Sequence, residues 1–285
     1  MTLWMNHDDV EQCIREHELI RSMQWAFKKI DSCTTSPLRV RAALSDVTGA
    51  PTNAEAMILL PGVVPGIPPY TVKVHANYPD NPSAGLPAIQ GVIQLFDSSN
   101  GTLLAVIDSP LVTAHRTAAA GAVAANVLAR QDAETVAIIG AGAQGEMQFR
   151  YLTHVRRIKK VFVYDVRRSA AQQYHERRTN EGFRCTVSDS IEEAVRYADI
   201  IITATWSREP FLFSNIIRPG THITTLGPDA PGKVEVAEEL IRKSKFVCDD
   251  RSLTEQMGAL HTFQEKHFFV CHTNSSPTRP GPGSG

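Results

Sequence analysis

Residues 135–145 read TVAIIGAGAQG. An unbroken apolar run of four residues, Val136 to Ile139, leads straight into GAGAQG, residues 140–145. A strand buried on both faces reads as such a run, and a GxGxxG that closes a strand and opens a helix is the turn that receives a dinucleotide's pyrophosphate. Gly140 permits the tight turn, Gly142 lets the phosphates approach the backbone, and Gly145 lets the helix pack on the strand. The helix that follows, AQGEMQFRYLTHV, presents free N–H groups and the positive end of its dipole at Ala143, Gln144 and Gly145. The next strand, VFVYDV, ends near Asp165. At that offset a carboxylate accepts hydrogen bonds from the adenosine ribose and repels a 2′-phosphate. Arg167 and Arg168 follow at once and offer a 2′-phosphate a partner instead. NAD is therefore the expected cofactor, with NADP the alternative.

The pattern continues outward from this turn. RSAAQQYHERRTN and IEEAVRYA read as helices, and DIIITAT, THITTLG and FVCDD as strands. Strands alternating with helices predict parallel βαβ units and a doubly wound α/β sheet. Upstream the texture differs. Residues 8–30 carry apolar side chains at helical spacing, one or two helices in all. From Pro37 to about Asp108, AMILLP, YTVKVHA and AIQGVIQLFD read as strands, and Asn100-Gly101 predicts a hairpin turn. TAHRTAAAGAVAANVLAR, residues 113–130, is an alanine-rich helix with Thr113 as a candidate cap. We expect a first domain over residues 1–118, a dinucleotide-binding domain over 119–260, and a polar, proline- and glycine-rich stretch over 261–285 without regular structure.

Composition narrows the function. The 285 residues balance 29 Lys and Arg against 30 Asp and Glu, so nothing favours nucleic acid or an anionic membrane as partner. No apolar run is long enough to span a bilayer, and the first residues, MTLWMNHDDVEQC, lack the core of a secretory signal. Five scattered cysteines with no CxxC suit reduced thiols in the cytoplasm. Ten histidines without HxxxH or HExxH give no metal site.

Four further residues carry chemistry, each with a plainer reading beside it. Asp229 sits in TLGPDAPGK, residues 225–233, a turn stiffened by prolines. It is either a mounted carboxylate or an ordinary turn residue. Lys73 alternates with Val72 and Val74 and reads equally as the exposed face of a strand. Arg116 suits a solvated helix position. Arg39 and Arg41 alternate, and either could be a ligand.

Three motifs in this order, YTVKVHANYPDNPSAGLP, TAHRTAAAGAVAANVLAR and GPDAPGK, set around GAGAQG, resemble the ornithine cyclodeaminase/mu-crystallin family from about residue 8 to about 258. The resemblance implies a Rossmann domain joined to a smaller α+β domain that binds substrate and forms a homodimer. It implies NAD(P)-dependent chemistry at the α-carbon of an amino or imino acid. Residue by residue, it makes Arg39 and Arg116 the substrate-carboxylate ligands and Lys73 the group beside the α-amine. Asp229 becomes the carboxylate near the reacting carbon, and Thr117, after Arg116, joins the cofactor contacts. The first expectation is conversion of L-ornithine to L-proline and ammonia through an imine, with the hydride returned internally. Ile58 and Leu60 stand where cyclodeaminases of the family carry their acidic recognition of the δ-amine. Alanine dehydrogenase or cyclic-imine reductase activity is thus an alternative, and a crystallin-like protein that only binds NAD(P) is another.

Overall fold

The computed structural model describes residues 1–30, 39–44, 56–228, 232–261, 263 and 270–272. Packing divides the chain into two units, the first Met1–Thr117 and the second beginning at Ala118.

Unit 1 opens with β1 (Leu3–Met5), α1 (His7–Cys13) and α2 (Glu16–Ile30). Asn6 starts α1 through a reciprocal box, its side chain accepting from the Asp9 N–H while Asp9 accepts from the Asn6 N–H. Then come β2 (Val40–Ala42), β3 (Met57–Gly62), β4 (Tyr70–Asn77), β5 (Ile89–Phe96) and β6 (Leu103–Asp108). They form one sheet in the order β1-β6-β5-β4-β3-β2, antiparallel except where β1 lies parallel to β6. The β5–β6 hairpin turns where Asn100-Gly101 predicts it, with Gly101 at φ 75°.

Register sorts the two faces of this sheet, because directly paired residues point the same way. Arg41 pairs with Ile58 and Ile58 with His75, while Leu60 pairs with Lys73 and Lys73 with Ile93. These residues share one face. Val40, Leu59, Val74 and Val92 lie in line on the other, next to the line of Trp4, Val106, Gln94 and Val72.

Helix α3 (Ser109–Leu128) follows β6 without a break. It begins four residues before Thr113, so Thr113 is an interior residue of the first turns and not the cap predicted for it.

Unit 2 continues with β7 (Thr135–Ile139), α4 (Ala143–Leu152), β8 (Lys160–Tyr164), α5 (Arg168–Asn180), β9 (Arg184–Val187), α6 (Ile191–Val195), β10 (Ile200–Thr203) and β11 (His222–Thr225). The five strands are parallel in the order β11-β10-β7-β8-β9. The chain order therefore reverses between β7 and β10, and in such sheets ligands bind outside the carboxyl ends of the strands at that reversal. Alternate residues feed two cores. Val136, Ile138, Val161, Val163, Ile200 and Ile202 pack with Phe149, Leu152 and Tyr174 on one side. Ala137, Ile139 and Ile201 pack with Val195, Leu240 and Leu260 on the other. Each fully buried isoleucine contributes about 1.5–3 kcal/mol, which is why the central strands tolerate no polar alternation.

The unit ends with α7 (Glu238–Arg242), β12 (Phe246–Cys248), α8 (Arg251–Met257) and β13 (Val270–His272). β13 pairs in parallel with β12, and Phe263 is buried in the second core. Part of the stretch beyond residue 260 is thus structured, contrary to the sequence expectation. Val270 and Cys271 are strand formers that the Pro, Gly and Ser further on outweigh in any compositional reading.

Candidate active site

The glycine turn is built as its spacing requires. Gly140 leaves β7 at φ 101°, a left-handed backbone that β-carbon-bearing residues rarely adopt. A Cβ there would lie 2.4 Å from the Ala204 carbonyl oxygen, just beyond β10. A Cβ on Gly145 would lie 2.2 Å from the Gly140 oxygen, so helix and strand touch through this glycine. Gly142 differs: a Cβ would meet nothing within 4 Å. It is the N-cap of α4 and makes no side-chain cap bond. Ala143 beside it is exposed, and the Oε1 of Gln144 is buried without a hydrogen-bond partner. An open backbone approach, uncapped N–H groups and the positive end of a ten-residue helix fit a dinucleotide's pyrophosphate.

Asp165 follows β8 with its side chain 10% exposed. Its Oδ2 accepts from the Ala141 N–H at 2.9 Å and its Oδ1 from the Arg167 N–H at 2.9 Å. The carboxylate therefore ties the glycine turn to the neighbouring strand end. The two arginines differ. Arg168 is ion-paired with Asp189, whereas the Arg167 side chain is 74% exposed with Nε 3.9 Å from Asp165.

In unit 1 the predicted substrate residues gather around Lys73. Burial, then the charge of Arg116 on α3, then that of Arg39 just before β2, lower the Lys73 ammonium from its ordinary 10.5 to about 8. Lys73 Nζ donates to Thr113 Oγ1 at 2.6 Å. His75, two residues on and on the same face, is 9% exposed. Burial, Lys73, Arg39 and Arg116, in that order, push it down to about 4, so it is neutral at physiological pH. Ile58, paired with His75, is 2% exposed. Arg116 is exposed, while Arg39 and Thr117 are partly buried. Lys73 is partly buried and feels both arginines, while the exposure of Arg116 is also that of a solvated helix charge.

Asp229 lies outside the described residues, with Ala230 and Pro231. Both ends of its turn are described. Glu235, fully buried, accepts five hydrogen bonds. Oε1 takes the Thr205 N–H at 2.8 Å and Thr205 hydroxyl at 2.7 Å. Oε2 takes the hydroxyls of Thr203 and Thr225 at 2.7 Å and the Gly227 N–H at 2.9 Å. One carboxylate thus binds the carboxyl ends of β10 and β11 and the start of the turn. At its far end Lys233, 6% exposed, places Nζ 3.7 Å from the centre of the Trp206 ring, a cation–π contact. Sequence reading passed over Glu235 and His75, and took Thr113 for a helix cap. The signal for Glu235 was an acid between two valines in KVEV; for Thr113, only its spacing of four from Ser109. Among the described residues no group of three His, Cys, Asp or Glu side chains could hold a metal ion.

A five-stranded parallel sheet in this order, with a glycine turn at its reversal, defines a dinucleotide-binding unit of Rossmann type. The sequence matches the ornithine cyclodeaminase/mu-crystallin family over residues 2–271, and the chain belongs to that family. It is 36% identical over 190 residues to an alanine dehydrogenase of Archaeoglobus fulgidus, covering 67% of this chain and 58% of that protein. It is 36% identical over 200 residues to an ornithine cyclodeaminase of Agrobacterium tumefaciens, covering 70% and 56%. Among solved structures, Thermococcus litoralis Δ1-pyrroline-2-carboxylate reductase in complex with NADH and L-proline superposes with a TM-score of 0.84 at 32% identity, covering 91% of this chain and 79% of that one. An archaeal alanine dehydrogenase dimer with bound NAD gives 0.80 at 30%, covering 89% and 76%. The matches span about six-tenths of the length of these curated relatives.

Proposed function

We infer that this chain catalyses NAD-dependent redox chemistry at the α-carbon of a small amino or imino acid. The observation that carries the reading is Lys73, an amine on a sheet face brought to about 8 by burial and by two arginines, Arg116 on α3 and Arg39 just before β2. In this reading Met1–Thr117 serves substrate binding and dimerisation, and the unit from Ala118 serves the dinucleotide. Arg39 and Arg116 hold the substrate carboxylate through their guanidinium forks. Lys73, with a large neutral fraction near its midpoint, exchanges a proton with the α-amine. Asp229 accepts a proton at the reacting centre from a turn anchored by Glu235 and Lys233. Gly140, Gly142, Ala143, Gln144 and Gly145 hold the pyrophosphate, Asp165 and Arg167 flank the ribose, and Thr117 completes the cofactor contacts. NAD bound there supplies the hydride acceptor and donor.

Two forms of this chemistry differ in the substrate side chain. Ile58 and Leu60 give the face of Lys73 an apolar wall, and an ammonium buried there without a partner is costly. That supports a substrate with an uncharged side chain, as in an alanine dehydrogenase or a cyclic-imine reductase. Cyclodeamination of L-ornithine to L-proline is the second reading, favoured by the family motifs and the Agrobacterium relative. We assign a homodimer, as in the archaeal alanine dehydrogenase. Trp4, Val40 and Val92, exposed on the sheet face opposite Lys73, supply apolar surface for it to cover. The unpaired Cys13, Cys185 and Cys248 suit the reducing cytoplasm.

Purified protein with L-ornithine and catalytic NAD+ is assayed for ammonia, proline and NADH together. Parallel assays use L-alanine with NAD+ and a five-membered cyclic imine with NADH. Net NADH from alanine, or its consumption by the imine, supports the first form. Equal ammonia and proline without lasting NADH supports the second. Cofactor binding with no turnover of any of the three would leave a crystallin-like binder.

A further inference from the structure

A hydroxyl has one proton to donate, and at Thr113 that proton is committed. Thr113 Oγ1 donates to the Ser109 carbonyl at 2.6 Å, one turn back on α3, while accepting from Lys73 Nζ at 2.6 Å. Thr113 is 6% exposed, so no solvent competes freely for either bond. With its hydrogen directed to Ser109, the oxygen can offer Nζ only a lone pair. The amine must therefore spend one N–H on Thr113 whether it is charged or neutral. Its other bonds are free to face a substrate, and in the neutral state so is its lone pair. Among the described residues, Arg116, Arg39, His75 and Arg41 are the charged or titratable groups around this face; the three guanidinium groups cannot accept from an ammonium, and the buried Nδ1 of His75 has no hydrogen-bond partner.

We propose that Thr113 is the positioning residue for Lys73: locked as an acceptor by Ser109, its hydroxyl fixes the direction in which the amine presents its remaining N–H bonds and its lone pair. The proposal rests on the reading of Lys73 as the group at the α-amine. Helical Thr hydroxyls commonly bond back to the carbonyl four residues earlier. What distinguishes this one is that the back-bond selects the polarity of a second, long-range bond to a different element. Serine can repeat both bonds, and valine keeps the shape and makes neither.

The test uses the full chain and its Thr113→Val, Thr113→Ser and Lys73→Met variants. Lys73 is labelled with trace acetic anhydride from pH 6 to 10, and the rate is read by mass spectrometry, independently of activity. Losing the acceptor disfavours the charged amine, so Thr113→Val should shift the labelling midpoint down by about half a pH unit or more. kcat should fall about tenfold or more, with KM for NAD unchanged. Thr113→Ser should restore both midpoint and kcat to near the parent values. Unchanged midpoint and kcat in Thr113→Val would overturn the proposal, as would failure of serine to rescue. If valine does not fold, Thr113→Ala is judged by the same readouts. Wild-type turnover in Lys73→Met would instead sink the functional reading beneath it, and the labelling midpoint alone would then decide whether Thr113 holds the amine.

Discussion

Lys73 and Glu235 are both charged side chains withdrawn from solvent, and the protein treats them in opposite ways. Glu235 is surrounded by five donors, three of them hydroxyls on strand ends and two backbone N–H groups. That satisfies nearly every lone pair of a carboxylate. Lys73 has one acceptor among the described residues, Thr113, and besides its burial two arginines that repel its charge. A group fully matched in its charged form is fixed and inert. One that is under-matched sits near a balance between two protonation states, which is what proton exchange at neutral pH needs. The contrast separates scaffold from chemistry more sharply than burial does, since Glu235 is the more buried of the two.

The strongest way to break the comparison is to remove the lysine. Lys73→Met keeps the aliphatic stem and deletes the amine. We expect turnover of the true substrate to fall by about 10²–10⁴, with NAD affinity and melting temperature close to the parent. A variant that stays within threefold of parental kcat would show that Lys73 is not the group at the α-amine.

Glu235 should fail in the other currency, stability. Glu235→Ala strands two backbone N–H groups and three hydroxyls, at a cost of at least about 3 kcal/mol. Glu235→Gln is more informative. Its amide nitrogen must replace either Oε1, facing the Thr205 N–H, or Oε2, facing the Gly227 N–H. A hydroxyl can rotate to accept, but a backbone N–H cannot, so glutamine always meets one donor head-on. We expect a loss of roughly 2 kcal/mol, read by chemical denaturation. A glutamine variant as stable as the parent would mean the site does not need the charged form.

A finer contrast lies within the glycine turn. Gly145→Ala places a Cβ against the Gly140 carbonyl and should destabilise by roughly 1–3 kcal/mol. Gly142→Ala meets no protein atom. It should change stability by less than about 1 kcal/mol, yet weaken NAD binding about tenfold or more, measured by calorimetry. Equal NAD affinity in Gly142→Ala and parent would remove the pyrophosphate from that approach.

These two glycines show why the sheet was legible in sequence and much of unit 1 was not. Apolar runs, glycine spacing and helix periodicity are local, and TVAIIGAGAQG writes the first two within eleven residues. Asp165 was legible too, because its offset from the turn is set by the length of one βαβ unit. Lys73 and Thr113 are forty residues apart and meet only when β4 and α3 are both in place. Neither residue type signals that meeting. Glu235 gathers partners from two segments, Thr203 with Thr205 and Thr225 with Gly227, and a lone acid between valines does not announce them. The helix start was misplaced for a similar reason. Thr113 is a good cap by residue type, but Ser109-Pro110 already begins α3, leaving that hydroxyl for the lysine.

The smallest effect is a pH slope, and it tests the same imbalance without any substrate. An unfolded Lys73 titrates near 10.5 and the folded one near 8. Between those values the unfolded chain holds the extra proton, so stability rises with pH across that window. A single proton gives at most about 1.4 kcal/mol per pH unit, less where solvent screens the partly exposed amine. The neutral His75 and His222 give a second rise, of the same sign, between about 4 and 6.5. Lys73→Met should abolish the upper rise. It should keep the lower one, reduced only by the relief that losing a neighbouring cation gives His75. Other lysines and tyrosines titrate in both proteins and cancel in the difference. Unfolding free energies for the pair, measured from pH 4 to 10, therefore isolate the cost of holding one lysine charged where it is buried and repelled by two arginines. Parallel curves above pH 8 would mean that the lysine is as well matched as Glu235, and the contrast between them would be gone.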